Sequence, residues 1–332
     1  MSDMIEMTYR EAIVLGQRDA MAHDPKTLLM GEDVAAAGGP FKTTEGLLDE
    51  FGPKRVRDTP IAEEAFVGAA MGMALTGWRP IVELMFADFM GVAYDQIVNG
   101  IAKHRFMQGG KLNVPVLIRA IGGGGTRFGA QHSQTGEGWL LPAPGLKVYS
   151  AGTPNDAYHL LRAGALDPDP VIVLEHKLLF NRKGPVQRFG AEVPPVNGTL
   201  HIRKGGDITM VASLGMVERM VAAGDLLARE GISADLFNLR RIRPLLIEPI
   251  LESVRTTGRL LVIEENHSPG GWSGDLIAKV VEAAFDWLDA PPERITLPEW
   301  PLPYSPALED ASMPSAEGIF RKAADIVSGR SR

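Results

Sequence analysis

The chain has 332 residues, 45% of them apolar, and a formal net charge of −7. That length allows two domains with sizeable cores, while the acidic balance and the lack of a long basic run argue against a nucleic-acid face. The absence of cysteine removes disulfides, thiolate metal sites and cysteine nucleophiles together. The opening Met1-Ser2-Asp3-Met4-Ile5-Glu6 reads as neither a secretory nor a transit peptide. The longest uncharged apolar stretch, 65–78, is Gly-rich and short of the roughly 20 residues a membrane span requires. A soluble cytoplasmic protein with no membrane contact is expected.

Thr8-x-x-Glu11 is a capping box and predicts a helix over 8–23. Thr27-Leu28-Leu29-Met30 reads as a short buried strand with Gly31-Glu32-Asp33 at its C-terminal end, the end where ligands collect in open α/β sheets. A helix over about 44–51 is stopped by Gly52-Pro53. Asp58-Thr59-Pro60-Ile61-Ala62-Glu63-Glu64 then runs from an extended segment into an apolar helix, and the two glutamates suit the positive end of that helix. Gly68 and Gly72 share one face of it, which points to close approach by another backbone.

A strand is predicted at 80–85, a helix over 88–107 and a buried strand over 114–120. The run Gly122 to Gly125 follows, leading to Gln131-His132-Ser133-Gln134. Neither dinucleotide nor P-loop spacing fits it, so a flexible active-site loop after a strand end is the preferred reading. His132 carries no metal-ligand spacing and no nucleophile elbow lies nearby; in a cleft it is a default general acid/base. Thr153-Pro154-Asn155-Asp156 opens a helix to about 166, and a strand follows at 171–175. Asp167-Pro168-Asp169-Pro170 between them reads as a turn whose oxygens are also able to hold a cation.

The pattern lapses over 184–198, where prolines stand at 185, 194 and 195. Alternation resumes with strands at 207–212, 234–239, 259–265 and 294–298, separated by helices over about 216–230, 247–256 and 274–288, and Ser315-x-Glu317 opens a terminal helix. His267 follows one of these strands, with structural and functional readings both open. The whole predicts an α/β protein: a doubly wound, mostly parallel sheet over 1–190 and a smaller α/β domain over 191–332.

Several motifs stand in the order of one family: Gly31-Glu32-Asp33-Val34, Asp58-Thr59-Pro60-Ile61-Ala62-Glu63, Phe86-Ala87-Asp88-Phe89, Gln131-His132-Ser133-Gln134, Pro144-Gly145-Leu146-Lys147-Val148 and Leu239-Arg240-x-Ile242-Arg243-Pro244-Leu245. Over nearly its whole length the chain resembles the beta subunit of the thiamine-diphosphate-dependent dehydrogenase component of 2-oxo acid dehydrogenase complexes, of the pyruvate, branched-chain or acetoin type. The resemblance implies a pyrimidine-binding thiamine diphosphate domain followed by a transketolase C-terminal-type domain. It also implies oxidative decarboxylation of a 2-oxo acid with acyl transfer to lipoamide, or cleavage of acetoin. A transketolase-like fragment and a non-catalytic subunit are the rival readings.

Residue by residue, Glu63 matches the glutamate that hydrogen-bonds the cofactor's aminopyrimidine and so promotes loss of the thiazolium proton. Burial suits a carboxyl to such work by raising its pKa toward neutrality. Glu64 matches a variable position. Glu32 matches an acid behind the ring, Ile61 and Met85 match residues around it, Phe89 matches the aromatic stacked on it, and His132 matches the histidine that handles protons on the substrate adduct and helps acyl transfer to lipoamide. Relatives can bind potassium at positions matching Val116, Gly164, Ala165, Asp167 and Asp169. The Gly-Asp-Gly motif that holds diphosphate and magnesium in the family does not occur here. The chain is therefore expected to complete its site with an alpha subunit, as an α2β2 tetramer joined to a lipoyl acyltransferase core.

Overall fold

Thr8 caps the first helix, Tyr9–His23, as its spacing predicts: its hydroxyl accepts from the Glu11 N–H at 3.2 Å, and the Glu11 carboxylate accepts from the Thr8 N–H at 2.7 Å. The computed structural model describes residues 4–330. Part of the stretch read for a targeting peptide, residues 1–3, lies outside the described residues.

The larger sheet has seven strands in the spatial order Arg241–Arg243, Lys147–Ser150, Val171–His176, Leu117–Gly122, Arg79–Leu84, Thr27–Gly31 and Val56–Asp58. All neighbours are parallel except the first pair. The five central strands are mostly apolar because both faces are covered, with Glu83, Arg119 and Glu175 as buried exceptions. The smaller sheet runs Glu293–Leu297, Leu260–His267, Ile208–Ala212, Ala234–Leu239 and Thr199–Arg203, the last antiparallel at its edge. One hydrophobic cluster joins the two sheets, taking in Val82, Ile118 and Ile172 from the first with Val211, Phe237 and Val262 from the second. Separate clusters cover the outer face of each.

Four features depart from the sequence expectations. The stretch 183–187 is a strand despite Pro185; it pairs with Met4–Thr8 in a separate two-stranded ribbon, where a missing N–H is tolerated. Arg241–Arg243 crosses back from the region of the second sheet to the edge of the first, beside Lys147–Ser150. The helix predicted over 88–107 is broken into a 3₁₀ turn at Ala87–Gly91, a π-wound stretch at Gln96–Ile101 and an α-helix at Ala102–Met107. The break has a visible partner: the Asp88 carboxylate accepts from the backbone N–H of Gln134 at 3.2 Å and from its side-chain amide at 2.9 Å. Gly68 faces the side chain of Gln96 rather than a backbone, and Gly72 faces open space.

Candidate active site

The candidate catalytic residues all leave the C-terminal ends of adjacent parallel strands. Glu32 follows Thr27–Gly31, Ile61 and Glu63 follow Val56–Asp58, and Met85 and Phe89 follow Arg79–Leu84. The His132 loop follows Leu117–Gly122, and Lys177 follows Val171–His176. Such an edge gathers side chains from several strands around one cleft.

Glu63 is the first residue of the helix Glu63–Leu75, and 6% of it is exposed. Its carboxyl is hydrogen-bonded to that of Glu32, which is equally buried. Burial, then the charge of Glu63, pushes the Glu32 carboxyl up to about 7. Glu32 is therefore the carboxyl that carries a proton into the neutral range. Glu32 Oε1 has no hydrogen-bond partner among the described residues. Ile61, at the rim, is 83% exposed, an unusual position for a large apolar side chain. Glu64 is exposed.

His132 is half-buried, edge-on to Phe86 at 4.6 Å and Phe89 at 5.4 Å between ring centroids. Its loop is tethered, not free as the glycine run suggests. Gly124 N–H donates to Glu265 Oε1 at 2.6 Å, and Gly125 N–H donates to Glu309 Oε1 at 2.7 Å. Arg127 reaches Glu309 Oε2 through its guanidinium at 2.8 Å. Glycine is required here by space as well as by conformation. A Cβ on Gly123, at φ +91°, would stand 2.1 Å from His176 Nε2, and one on Gly125, at φ +82°, 2.6 Å from Leu178. The glycine amides thus bind anions, but the anions are the chain's own carboxylates. His176 Nδ1 accepts from the Leu178 N–H at 3.2 Å, which leaves Nε2–H to donate to Glu265 at 2.8 Å.

Beyond the loop, Glu137 is fully buried and accepts from Ser213 at 2.8 Å and from the Asn266 amide at 2.5 Å. Burial, then the charge of Glu264, pushes its carboxyl up to about 8. The folded state therefore binds this proton more tightly than the unfolded chain, whose carboxyl titrates near 4.3. The stability this supplies at low pH is lost as pH rises through the window up to about 8, at about 1.4 kcal/mol per pH unit. Glu32 adds the same sign up to about 7. Thermal midpoints measured from pH 5 to 8 should decline for the native chain and decline less steeply in Glu137→Gln; an equal slope in both would refute the assignment. His267, left open by its sequence context, donates through Nδ1 to the Pro298 carbonyl at 2.6 Å, and it lines a cavity of about 460 Å³ with Gln131 and Gln134.

The residues matched to potassium ligands lie at the opposite end of the sheet, where Leu117–Gly122 and Val171–His176 begin. Their oxygens already have protein donors. Val116 O accepts from Val171 N–H at 3.0 Å, Gly164 O from Asp167 N–H at 3.3 Å, and Ala165 O from the Arg79 guanidinium at 3.2 Å. Lys147 bonds both Asp167, at 2.7 Å, and Asp169, at 3.2 Å, and Arg105 bonds Asp169 as well. Among the described residues no group of three or more His, Asp or Glu is arranged to hold a metal ion.

Sequence reasoning passed over Lys177, Glu265 and Glu309, which hold the His132 loop, and Arg119, which lies beneath the site. The available signal was a charged residue directly after a run of buried apolar ones, as in Val171-Ile172-Val173-Leu174-Glu175-His176-Lys177. Arg119 is fully buried in the central strand Leu117–Gly122. It binds Glu175 through two bonds of 2.7 and 2.8 Å, and it also bonds Glu83 and Gln17.

Comparison with known proteins agrees with this arrangement. Residues 5–183 match the model of the transketolase pyrimidine binding domain, and residues 198–319 that of the transketolase C-terminal domain. The pyruvate dehydrogenase E1 component subunit beta-2 of Oryza sativa subsp. japonica is 43% identical over 96% of this chain and 85% of its own length. The beta subunit of the acetoin:2,6-dichlorophenolindophenol oxidoreductase of Cupriavidus necator is 42% identical, covering 98% of this chain and 97% of that one. A solved structure described as a split gene transketolase, inactive beta4 tetramer, superposes with a TM-score of 0.76 at 23% identity, covering 97% of this chain and 98% of that one, which speaks to fold alone. The chain belongs to the family of beta subunits of thiamine-diphosphate-dependent dehydrogenases of the pyruvate and acetoin type, built on the transketolase fold.

Proposed function

We propose that the chain, paired with an alpha subunit, decarboxylates a 2-oxo acid oxidatively and passes the acyl group to a lipoyl group on an acyltransferase core. The observation that carries this reading is the buried Glu32–Glu63 pair opening onto a rim that exposes Ile61. The unpartnered Glu32 oxygen, the carboxyl at the helix start and the half-buried Phe89 fit the aminopyrimidine half of thiamine diphosphate. When bound, that cofactor supplies a thiazolium carbon able to attack a 2-oxo carbonyl and accept the electron pair released with carbon dioxide.

The chain's own contribution is proton handling. Glu32 holds a proton in the neutral range and is hydrogen-bonded to Glu63, which would relay it to the ring nitrogen. Phe89 supplies a face for the ring, and Met85 and Ile61 would enclose its edges. His132, oriented by two aromatic edges, would handle protons on the substrate adduct, chiefly in passing the acyl group to the lipoyl group. The diphosphate and magnesium are left to the alpha subunit, in an α2β2 tetramer. The helix Glu63–Leu75, apolar on nearly all sides and exposing Leu75 and the open Gly72, suits a subunit contact. The potassium positions fit an ion poorly, because Lys147 and Arg105 already neutralise their two carboxylates and Arg79 occupies the Ala165 and Asp167 carbonyls, and no step is derived through one. The cysteine-free composition suits a reducing compartment such as the cytoplasm, and among the described residues no helix is long and apolar enough to cross a membrane.

A second reading, cleavage of acetoin, rests on the 42% identity to the acetoin enzyme's subunit. Titration calorimetry with thiamine diphosphate and magnesium tests the half-site directly. Binding should appear only after co-expression with the alpha subunit, and tight binding by the isolated chain would sink the proposal. Assaying the complex with pyruvate, branched-chain 2-oxo acids and acetoin then separates the substrates.

A further inference from the structure

Among the residues that hold the His132 loop, Lys177 has no chemical role in the proposed function, yet its position is unusual. It follows the central strand Val171–His176, is 6% exposed, and points its ammonium at the back of the His132 loop. Nζ donates to the His132 carbonyl at 2.6 Å and lies 5.5 Å from the ring centroids of both Phe86 and Phe128. Phe86 is the ring against which the His132 imidazole stands edge-on, so one cation touches both the backbone of His132 and the surface that orients its side chain. The remainder of the loop is held from other directions. Glu265 and Glu309 hold the glycine side, and Asp88 holds Gln134. Lys177 bonds the backbone of His132 itself.

We propose that Lys177 is a positioning residue for His132, setting the imidazole against Phe86 and Phe89 through the bond to the histidine carbonyl and the cation–π contact beneath it. The proposal rests on the reading of His132 as the group that serves acyl transfer. A charge-assisted bond is stronger than a neutral one, and a buried ammonium must spend its donors on fixed acceptors. Burial drives the amine down to about 8, against the opposing charges of Asp88, Glu265 and Glu309, so it remains a cation at neutral pH.

The test uses the enzyme reconstituted with its alpha subunit and reads two rates: oxidation of the 2-oxo acid linked to dichlorophenolindophenol, and transfer to an isolated lipoylated domain. Misplacement of a catalytic group by about 1 Å costs up to roughly 100-fold. Lys177→Met should therefore lower transfer at least about tenfold more than it lowers the dye-linked rate, and Lys177→Arg should recover most of the difference. His132→Ala should show the same selective loss, and the double variant should be no worse than His132→Ala alone. Equal losses in both rates with a lowered thermal midpoint, or a normal transfer rate in Lys177→Met when His132→Ala is impaired, would overturn the proposal. If His132→Ala transfers normally, the reading of His132 fails and the proposal falls with it. Should the methionine variant fail to assemble, Lys177→Gln, which keeps a donor without the charge, is read by the same criteria.

Discussion

Glu63→Gln should lower turnover of the reconstituted enzyme by roughly 10²- to 10⁴-fold, the range that a positioned general acid/base contributes. The amide keeps the shape of the carboxyl, and the helix it opens keeps its second first-turn acid, Glu64. Assembly and thermal midpoint should therefore stay close to native. The loss has a specific cause: an amide cannot take a proton from Glu32 and deliver it at the ring nitrogen. Glu64→Gln, one residue along and exposed, should alter the rate by no more than about twofold, as for an ordinary surface change. Stopped-flow measurement of decarboxylation in both variants is the check. A Glu63→Gln enzyme within tenfold of native would remove this glutamate from the mechanism.

The largest effect on stability should follow from Arg119→Met. Arg119, Glu83 and Glu175 lie side by side on three central strands, each no more than 1% exposed. Removing the guanidinium leaves two carboxylates buried near one another without compensation. Breaking a buried ion pair in this way costs roughly 3–5 kcal/mol, which at about 2–4 °C per kcal/mol lowers the thermal midpoint by on the order of 10 °C. The triple variant Glu83→Gln, Arg119→Met, Glu175→Gln removes the stranded charge and should recover much of the loss, because apolar or neutral replacements of buried ion networks are often tolerated. Differential scanning fluorimetry on the three chains decides it. A triple variant as unstable as the single one would show that packing, not charge, sets the effect.

Some of this site was legible in one dimension and some was not. The helix start at Glu63 was legible because the chain announces its local geometry: Pro60 holds the preceding residue extended, and two acids then open an apolar helix, while the choice of Glu63 over Glu64 came from the family resemblance. The capping residues Thr8 and Thr153 likewise act within three residues of themselves, and both cap as their spacing predicts. The helix expected over 88–107 misled because its apolar periodicity is real, while its first turn is wound as 3₁₀ where Asp88 bonds Gln134, forty-six residues away. The glycine run misled for a similar reason. Glycines permit a mobile loop, but they also permit a backbone to approach His176 and to bond Glu265 and Glu309, and only the fold supplies those carboxylates.

Taken by itself, the order of residues determined the alternation of strands and helices, the absence of a diphosphate motif, and the place of Glu63 at a helix start. Each of these is settled by neighbours along the chain, through backbone sterics, capping and apolar periodicity. The pairing of Glu32 with Glu63, the tethering of the His132 loop and the place of Lys177 beneath it were decided only by tertiary structure. These depend on which strand ends the parallel sheet sets side by side, and on how far water is excluded from the charges gathered there.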